Sequence, residues 1–352
     1  MNSIKAWRTC ATATSIVMLT ACQEATGPAA TVANFNSQRV TNGLRVVQTL
    51  ASAPGVSALQ QVARLGGTAT ATASTASATS GIATASASVV QAALDAQVFA
   101  ITVLAPNVLG KTFTYDTTSR RYAPSDRSGA PANGVRVVLY SETMDHLPII
   151  GQELGFAELT NEAPLSLTTG AIRLAVVTGG VTRLSYGVSF TLPGVTPSLN
   201  IDGFLADGTN RLEFTIAASP GNTGSGIGIV NATLRVPSEK VEVLATIHAA
   251  PAGSGTIDLV VSSGTDRIAV TAAMSADQVN ASFTVNGAVL ARATGAASGP
   301  TIVSASGQEL SAGEQEALGR IVSTTSGIVQ LLNDLAAPAA SIVQMATAIG
   351  RG

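Results

Sequence analysis

A two-residue alternation of apolar and polar side chains recurs through residues 171–306 and constrains the fold more than any other feature. The side chains of a β-strand point alternately to opposite faces of the sheet, so each alternating segment predicts a strand with one buried and one solvent-facing side. The clearest cases are residues 183–191, Arg211–Ser219 and 279–285. In the first, Leu184, Tyr186, Val188 and Phe190 alternate with Arg183, Ser185, Ser189 and Thr191.

Short turn sequences separate these segments and predict that neighbouring strands are antiparallel, because a short turn reverses the chain. The turns are Gly179-Gly180, Asp207-Gly208, Pro237-Ser238, Ser263-Gly264-Thr265-Asp266 and Asn286-Gly287. Residues 171–306 are therefore predicted to form one long meander. Earlier segments at 111–116, 120–123, 135–141 and 155–159 are expected to add strands, with a separate subdomain left open.

Helical periodicity flanks the strand region on both sides. Residues 37–105 are predicted to form a helical region interrupted by a loop at 66–88, which is almost entirely Ala, Thr, Ser and Gly and has little to bury. Glycosylation of that loop is an open alternative. Residues 311–352 are predicted to form a C-terminal helical segment that Pro338 interrupts. Its apolar stripe is Leu318, Ile321, Val322, Val329, Leu332 and Leu335, continued by Ile342, Val343, Met345 and Ile349.

These patterns together predict an α+β fold. A long antiparallel β-meander over residues 106–310, as a curved sheet or half-barrel, packs its apolar face against N-terminal and C-terminal helices. The composition is 46% hydrophobic with 11% charged residues and favours a folded chain. The net charge is −2, and no run of basic residues is longer than Arg120-Arg121. A nucleic-acid partner is not expected, because binding phosphates requires a basic surface.

The amino terminus is typical of an exported protein. Lys5 and Arg8 precede a short apolar stretch at residues 11–19, which is too short to span a bilayer, and small residues follow. The sequence Leu19-Thr20-Ala21-Cys22 resembles the lipobox of bacterial lipoprotein precursors. The alternative is an ordinary signal peptide followed by an unrelated cysteine.

The resemblance implies how the amino terminus is processed. Residues 1–21 would be a signal peptide, with Leu19, Thr20 and Ala21 as recognition positions for cleavage. Cys22 would receive a diacylglycerol, and its new amine a further acyl chain such as palmitate. Residues 22–36 would be the lipidated tether. Gln23 rather than Asp after the cysteine favours the outer membrane, facing the periplasm or the cell surface. Two or three acyl chains hold a protein stably on a membrane.

Motifs for catalysis or for metal binding are not found in the sequence. The two histidines, His146 and His248, are expected to be surface residues, and no G-x-S-x-G or H-E-x-x-H sequence occurs. The glycine-rich run at 221–228 is interpreted as a hairpin loop rather than a phosphate cradle. Asn200, Asp202, Asp207 and Asn210 lack the spacing of a calcium loop and are expected to form turns. The acid pairs are Glu239 with Glu242 and Glu314 with Glu316. Glu314 and Glu316 are two residues apart and should not face each other on a helix, and Glu239, beside a turn, is expected to be solvated.

The sequence thus predicts a membrane-anchored envelope lipoprotein that is not an enzyme and needs no cofactor or metal. Its role is structural or one of interaction with partners that the sequence does not identify. The alternative is a carrier for a lipid or another apolar ligand held between the sheet and the helices. Half-barrel lipoprotein carriers have the same order of elements, but this chain shares no motif with them, so the likeness is an analogy. A filled or an empty space beneath the sheet distinguishes the two hypotheses.

Overall fold

The computed structural model describes Arg45, Val46, Thr49 and residues 104–342, apart from 146, 163–168, 192–197, 220–227, 250–253, 276, 297–298, 337 and 340–341. The predicted signal peptide, lipobox, tether and 66–88 loop lie outside the described residues, as does most of the predicted helical region 37–105. Val46 packs against the core of the molecule.

Fifteen strands form one sheet in the part of the chain that the structure describes. They are β1 (Thr112–Asp116), β2 (Arg121–Ser125), β3 (Gly134–Glu142), β4 (Pro148–Asn161), β5 (Thr169–Thr178), β6 (Val181–Thr191), β7 (Ser198–Ala206), β8 (Arg211–Ser219), β9 (Gly228–Val236), β10 (Val241–Ala249), β11 (Gly255–Ser263), β12 (Asp266–Met274), β13 (Gln278–Val285), β14 (Ala288–Ala296) and β15 (Thr301–Ser304). An α-helix of 25 residues, α1 (Ala312–Ala336), follows.

The sheet is a meander from β3 to β15, in which each strand from β4 onwards pairs antiparallel with the strand before it. This confirms the meander predicted for residues 171–306, and the earlier strands belong to the same sheet. The predicted turns lie between the strands as expected. Asn286 and Gly287 both have positive φ, 49° and 82°, as a two-residue turn with the twist of a hairpin requires.

The prediction of an antiparallel sheet throughout residues 106–310 is wrong at one pair. β1 lies between β2 and β3, antiparallel to β2 and parallel to β3, with Thr112 opposite Arg136. Residues 117–133, which include β2, carry the chain back so that β3 starts beside the beginning of β1. A parallel neighbour requires such a long return, and no periodicity in the sequence identifies which strand it will join.

One face of the sheet is buried from β1 and β3 to β14 and forms a continuous core with α1. The alternation predicted from sequence is confirmed, since Leu184, Tyr186, Val188 and Phe190 on β6 are all buried. The sheet is not closed, and β2 and β15 are its two edges.

Helix α1 lies on the buried face and reaches across several strands. It contacts β14, and near its end the backbone oxygen of Leu335 accepts a hydrogen bond from the hydroxyl of Tyr186 on β6, at 2.5 Å. A helix of this length extends about 37 Å, and β6 and β14 are about 38 Å apart along a flat sheet at the usual strand spacing. The helix therefore covers the middle of the sheet rather than one strand.

The start of α1 is fixed by a capping box. The Ser311 backbone N–H and hydroxyl donate to the Glu314 carboxylate at 2.8 and 2.7 Å, and the Glu314 N–H points back to the Ser311 hydroxyl. Glu314 is thus a capping residue, and Glu316 pairs with Arg320 one turn further on. Within the described residues the predicted stripe is confirmed except at Val322, which is 43% exposed. Val343, Met345 and Ile349 lie outside the described residues. Thr325 is buried, and its hydroxyl donates to the Ile321 carbonyl, so the buried hydroxyl has a partner.

Candidate functional site

The structure tests the sequence-predicted site residues unevenly. Cys22 and the recognition residues Leu19, Thr20 and Ala21 lie outside the described residues, so the lipid attachment stays a prediction. His146 also lies outside them, as do residues 221–227 of the glycine-rich run. His248 is exposed near the end of β10, on the solvent-facing side as predicted.

Of the four polar residues considered for a calcium site, Asp207 and Asn210 lie in the turn between β7 and β8 as predicted, whereas Asn200 and Asp202 lie within β7, so the turn prediction is wrong for these two. Asp207 accepts hydrogen bonds from the backbone N–H groups of Thr209 and Asn210, which hold the pKa of its carboxyl below the usual value. Asp202 instead pairs with Arg173. Within the described ranges, no three histidine, cysteine, aspartate or glutamate side chains come together as a metal site would need.

The solvent-facing side of β5 to β9 carries a polar depression of about 420 Å³. Strand register places its side chains, because Ser185, Phe204, Glu213 and Arg235 are successive partners across β6, β7, β8 and β9. Its lining includes Arg173, Asp202, Phe204, Arg211, Glu213 and Arg235.

Each arginine of this depression already has an acidic partner. Arg173 contacts Asp202 at 2.9 Å and Glu162 at 3.0 Å, Arg211 contacts Glu213, and Arg235 contacts Glu242 at 2.6 Å. Burial disfavours the charge of Arg173, but its hydrogen bonds to Asp202 and Glu162 outweigh this and hold its pKa above the usual value. The pairs of Arg173 and Arg235 join different strands, whereas Arg211 and Glu213 lie on the same strand, β8. Since all three arginines have an acidic partner, the depression does not present a free cation to an anionic ligand.

A second feature is the end of the β3–β4 hairpin, which we call the β3–β4 tip (residues 143–154, His146 excepted). Four of the eight exposed large apolar side chains found among the described residues belong to it: Met144 (94% exposed), Leu147 (45%), Ile150 (51%) and Leu154 (51%). The other four are Val181, Leu244, Ile302 and Val322, on four different elements. Single exposed apolar residues are ordinary, whereas a concentration of them marks a surface that contacts something else.

The β3–β4 tip projects beyond the neighbouring hairpin. Pairing between β4 and β5 ends where Gly155 lies opposite Thr178, beside the Gly179-Gly180 turn. On the other side, β3 pairs Tyr140 with Glu153 and Glu142 with Pro148, so residues 149–152 bulge out opposite a single residue. Gly151, with φ of 91°, allows the chain to turn within that bulge.

The base of the tip is held by an ion pair and by aromatic rings. Arg127 donates two hydrogen bonds to Glu153, at 2.7 and 3.1 Å, which lower the pKa of the Glu153 carboxyl. Tyr140 lies close to Tyr122, with 6.5 Å between ring centroids, and Tyr122 packs edge-on against Tyr115. The ion pair and the tyrosine rings therefore hold the base of the apolar tip in place.

Sequence reasoning missed the β3–β4 tip. The predicted strand covered only residues 155–159, whereas β4 begins at Pro148. Isoleucines at 149 and 150 and a leucine at 154 were a possible signal, but exposure cannot be recognised from residue type alone.

Comparison with models of protein families, with curated protein sequences and with solved structures finds no significant match to this chain. Among the described residues, no helix combines the length and apolar character needed to cross a membrane.

Proposed function

We propose that this chain is a lipid-anchored envelope protein without catalytic activity, whose long sheet has a structural or interaction role. The anchor is the acylated Cys22, and the location is the outer membrane, facing the periplasm or the cell surface. The sequence Leu19-Thr20-Ala21-Cys22 supports the anchor, since it resembles a lipobox. The extended polar face of the sheet, with its paired arginines, supports a role in which the surface and not an interior site meets partners.

The close packing of the core supports a structural role, which we call the scaffold hypothesis, over a carrier role. Leu174, Leu184, Tyr186, Ile201 and Leu212, at the middle of the sheet, each have 0% of their surface accessible. The wall of a cavity that holds a ligand would show accessible surface even without contact with bulk water. These side chains instead pack against other protein atoms, as in an ordinary close-packed interior.

The carrier hypothesis requires a different interior. Binding sites for drug-sized or lipid-sized ligands are cavities of at least about 300 Å³, lined mainly by apolar groups. The depression on β5 to β9 is large enough, but its lining is charged and lies on the opposite face of the sheet from the core. A carrier role would therefore require α1 to leave the sheet.

The test is mass spectrometry of the full-length gene product, purified from bacterial membranes in detergent. We expect peptide 22–39 to carry the mass of a diacylglycerol and an acyl chain on Cys22, and the intact protein to carry no other extractable lipid. The matched control is Cys22→Ser, which should lack the modification. An unmodified Cys22 would overturn the anchor. A second, non-covalent lipid released by organic solvent would overturn the scaffold in favour of the carrier.

A further inference from the structure

We propose that the β3–β4 tip is a second membrane contact, which inserts its apolar side chains into the surface of a zwitterionic lipid bilayer. The inference rests on the proposed function, because the lipid anchor keeps the chain beside a membrane. It adds that the folded domain itself touches the bilayer and is held in one orientation.

The shape of the tip favours a soft, deformable partner. Met144 is almost fully exposed at the end of a hairpin that extends past its neighbours, and Leu147 and Ile150 flank it. Apolar side chains on such a projection can enter the headgroup and acyl-chain boundary of a bilayer, where burial of each is favourable in proportion to its area. Val181 lies at the same end of the sheet, because Thr178 is the register partner of both Val181 and Gly155.

Two hydrogen bonds satisfy part of the backbone of the tip. The Thr143 N–H donates to the Leu147 carbonyl at 2.9 Å, and the Leu147 N–H donates to the Thr143 hydroxyl at 3.2 Å. Unpaired backbone groups are costly in an apolar environment, so these bonds reduce the cost of insertion. The bulge at 149–152 interrupts the regular strand edge, which disfavours pairing with a strand from another protein.

The charges of the tip favour one kind of lipid headgroup over another. Its acidic residues are Asp145 and Glu153, it has no lysine or arginine, and Glu153 is paired with Arg127. Strongly anionic lipid surfaces attract basic segments and repel acidic ones. A surface of zwitterionic headgroups therefore fits the tip better.

The experiment uses a tryptophan reporter in the full chain. The single tryptophan, Trp7, lies in the predicted signal peptide, so a processed Met144→Trp chain carries one tryptophan, at the tip. The matched control is Ile302→Trp, an exposed position on β15. Each protein is reconstituted into phosphatidylcholine vesicles with and without lipids brominated on their acyl chains, and the emission of the unsubstituted chain is subtracted.

We expect the emission of Met144→Trp to shift to shorter wavelength in vesicles and to be quenched by the brominated lipids, while Ile302→Trp stays unchanged. Adding Leu147→Asp and Ile150→Asp to the Met144→Trp chain should abolish both effects. Emission that stays unshifted and unquenched would overturn the proposal and leave a protein groove as the partner of the tip. Equal effects at both positions would also overturn it, because contact would not be specific to the tip.

Failure of the inference and failure of the proposed function give different results. If Cys22 is acylated but the tip reporter is unaffected, the anchor stands and the second contact is wrong. If a Trp7→Phe, Cys22→Ser form of the Met144→Trp chain, whose one tryptophan is at the tip even when the signal peptide is retained, still shows the shift and the quenching, the tip contacts membranes independently of the acyl chains.

Discussion

Tyr186 is the residue that joins the sheet to the helix. It is fully buried on β6, its ring lies 5.7 Å from that of Phe214, and its hydroxyl donates to the Leu335 carbonyl near the end of α1. Carbonyls in the last turn of a helix lack partners within the helix, so the hydroxyl satisfies an acceptor that burial would otherwise leave costly. Burial also raises the pKa of the Tyr186 phenol, which keeps its proton available to donate.

We expect Tyr186→Phe to lower the free energy of unfolding by about 1 kcal/mol, because the ring stays but the hydrogen bond is lost. Tyr122→Phe is the matched control, since the Tyr122 hydroxyl is buried without a hydrogen-bond partner and its removal should be neutral or stabilising. Urea unfolding of both variants measures the difference. Equal losses would show that the bond to Leu335 contributes nothing specific.

Position 203 on β7 requires a glycine, because the backbone of β6 approaches it closely. Register places it between Tyr186 and Phe214, and a Cβ atom there would lie 1.9 Å from the Ser185 carbonyl oxygen. At Gly187 a Cβ would meet only the ends of Asp202 and Arg173, at 2.7 and 2.8 Å.

We therefore expect Gly203→Ala to cost about 2 kcal/mol or more, because two strands must separate. Gly187→Ala should cost less than about 1 kcal/mol, since flexible side chains can move and a partly exposed ion pair contributes little. Thermal melting of the two proteins gives the comparison. If both substitutions lowered the melting temperature equally, the backbone contact at Gly203 would not be the cause.

At the scale of elements, α1 shows how tertiary packing selects the buried face of an amphipathic helix. Val322 belongs to the apolar stripe read from the sequence but is 43% exposed, whereas Leu332 is 4% exposed. A helix resting on a sheet buries a sector of limited width, and its rotation about its own axis decides which apolar residue falls outside that sector.

This assignment predicts a clear contrast between two aliphatic truncations on one helix. Leu332→Ala should lower the free energy of unfolding by about 3 kcal/mol, through lost burial and a cavity. Val322→Ala should change it by no more than about 0.5 kcal/mol. Chemical denaturation provides the measurement, and a large loss at Val322 would mean that α1 is rotated from the orientation described.

The last turn of α1 also carries an acid in an unfavourable place. Burial raises the pKa of Asp334, although a hydrogen bond from Gln330 partly opposes the shift. Because the folded-state pKa is raised, the contribution of this group to stability is highest below its unfolded pKa and is lost as the pH rises through the folded value. A negative charge near a helix carboxyl end is also disfavoured by the helix dipole.

Asp334→Asn should therefore stabilise the protein at pH 7 by on the order of 0.5 kcal/mol and have little effect below the ordinary aspartate pKa of 3.8. Asp207 gives the opposite case, because its pKa is lowered by backbone hydrogen bonds from Asn210 and Thr209. The stability from Asp207 is present above its unfolded pKa and is lost as the pH falls. Denaturation series between pH 3 and pH 7 should thus move in opposite directions for Asp334→Asn and Asp207→Asn.

At the scale of the whole molecule, an open sheet has two edges that other chains could extend. Exposed strand edges promote association, and proteins limit this with short edge strands and with proline. The edge strand β15 has only four residues, and β2 carries Pro124, which has no backbone N–H to donate. Both ends of the sheet therefore resist addition of further strands.

We expect Pro124→Val to increase self-association relative to the unsubstituted chain, because it restores a donor and a β-forming side chain at the edge. Pro131→Val, in the connection between β2 and β3, is the control and should not. Light scattering across a concentration series measures the mass of each. An unchanged mass for Pro124→Val would show that another feature, such as strand length, protects this edge.

The sequence alone predicted most of the strands and turns, and the C-terminal helix, because these depend on neighbouring residues. Alternation at 183–191 and Arg211–Ser219 follows from the geometry of a strand, and Asn286-Gly287 from the backbone angles of a tight turn. The site was predicted less well. The lipobox residues are a local motif that stays untested, while the exposed leucines and isoleucine of the β3–β4 tip were not recognised.

What only the tertiary structure decided are relations between residues distant in the chain. Two of these relations are the parallel pairing of β1 with β3 and the hydrogen bond from Tyr186 to Leu335. Two others are the rotation of α1 that exposes Val322 and the projection of Met144 beyond its neighbours. A local sequence pattern shows which side chains are apolar, but their burial depends on which other part of the folded chain packs against them. For this chain the sequence determined the alternating strands and their turns, and packing determined which apolar surface was covered and which was left at the tip.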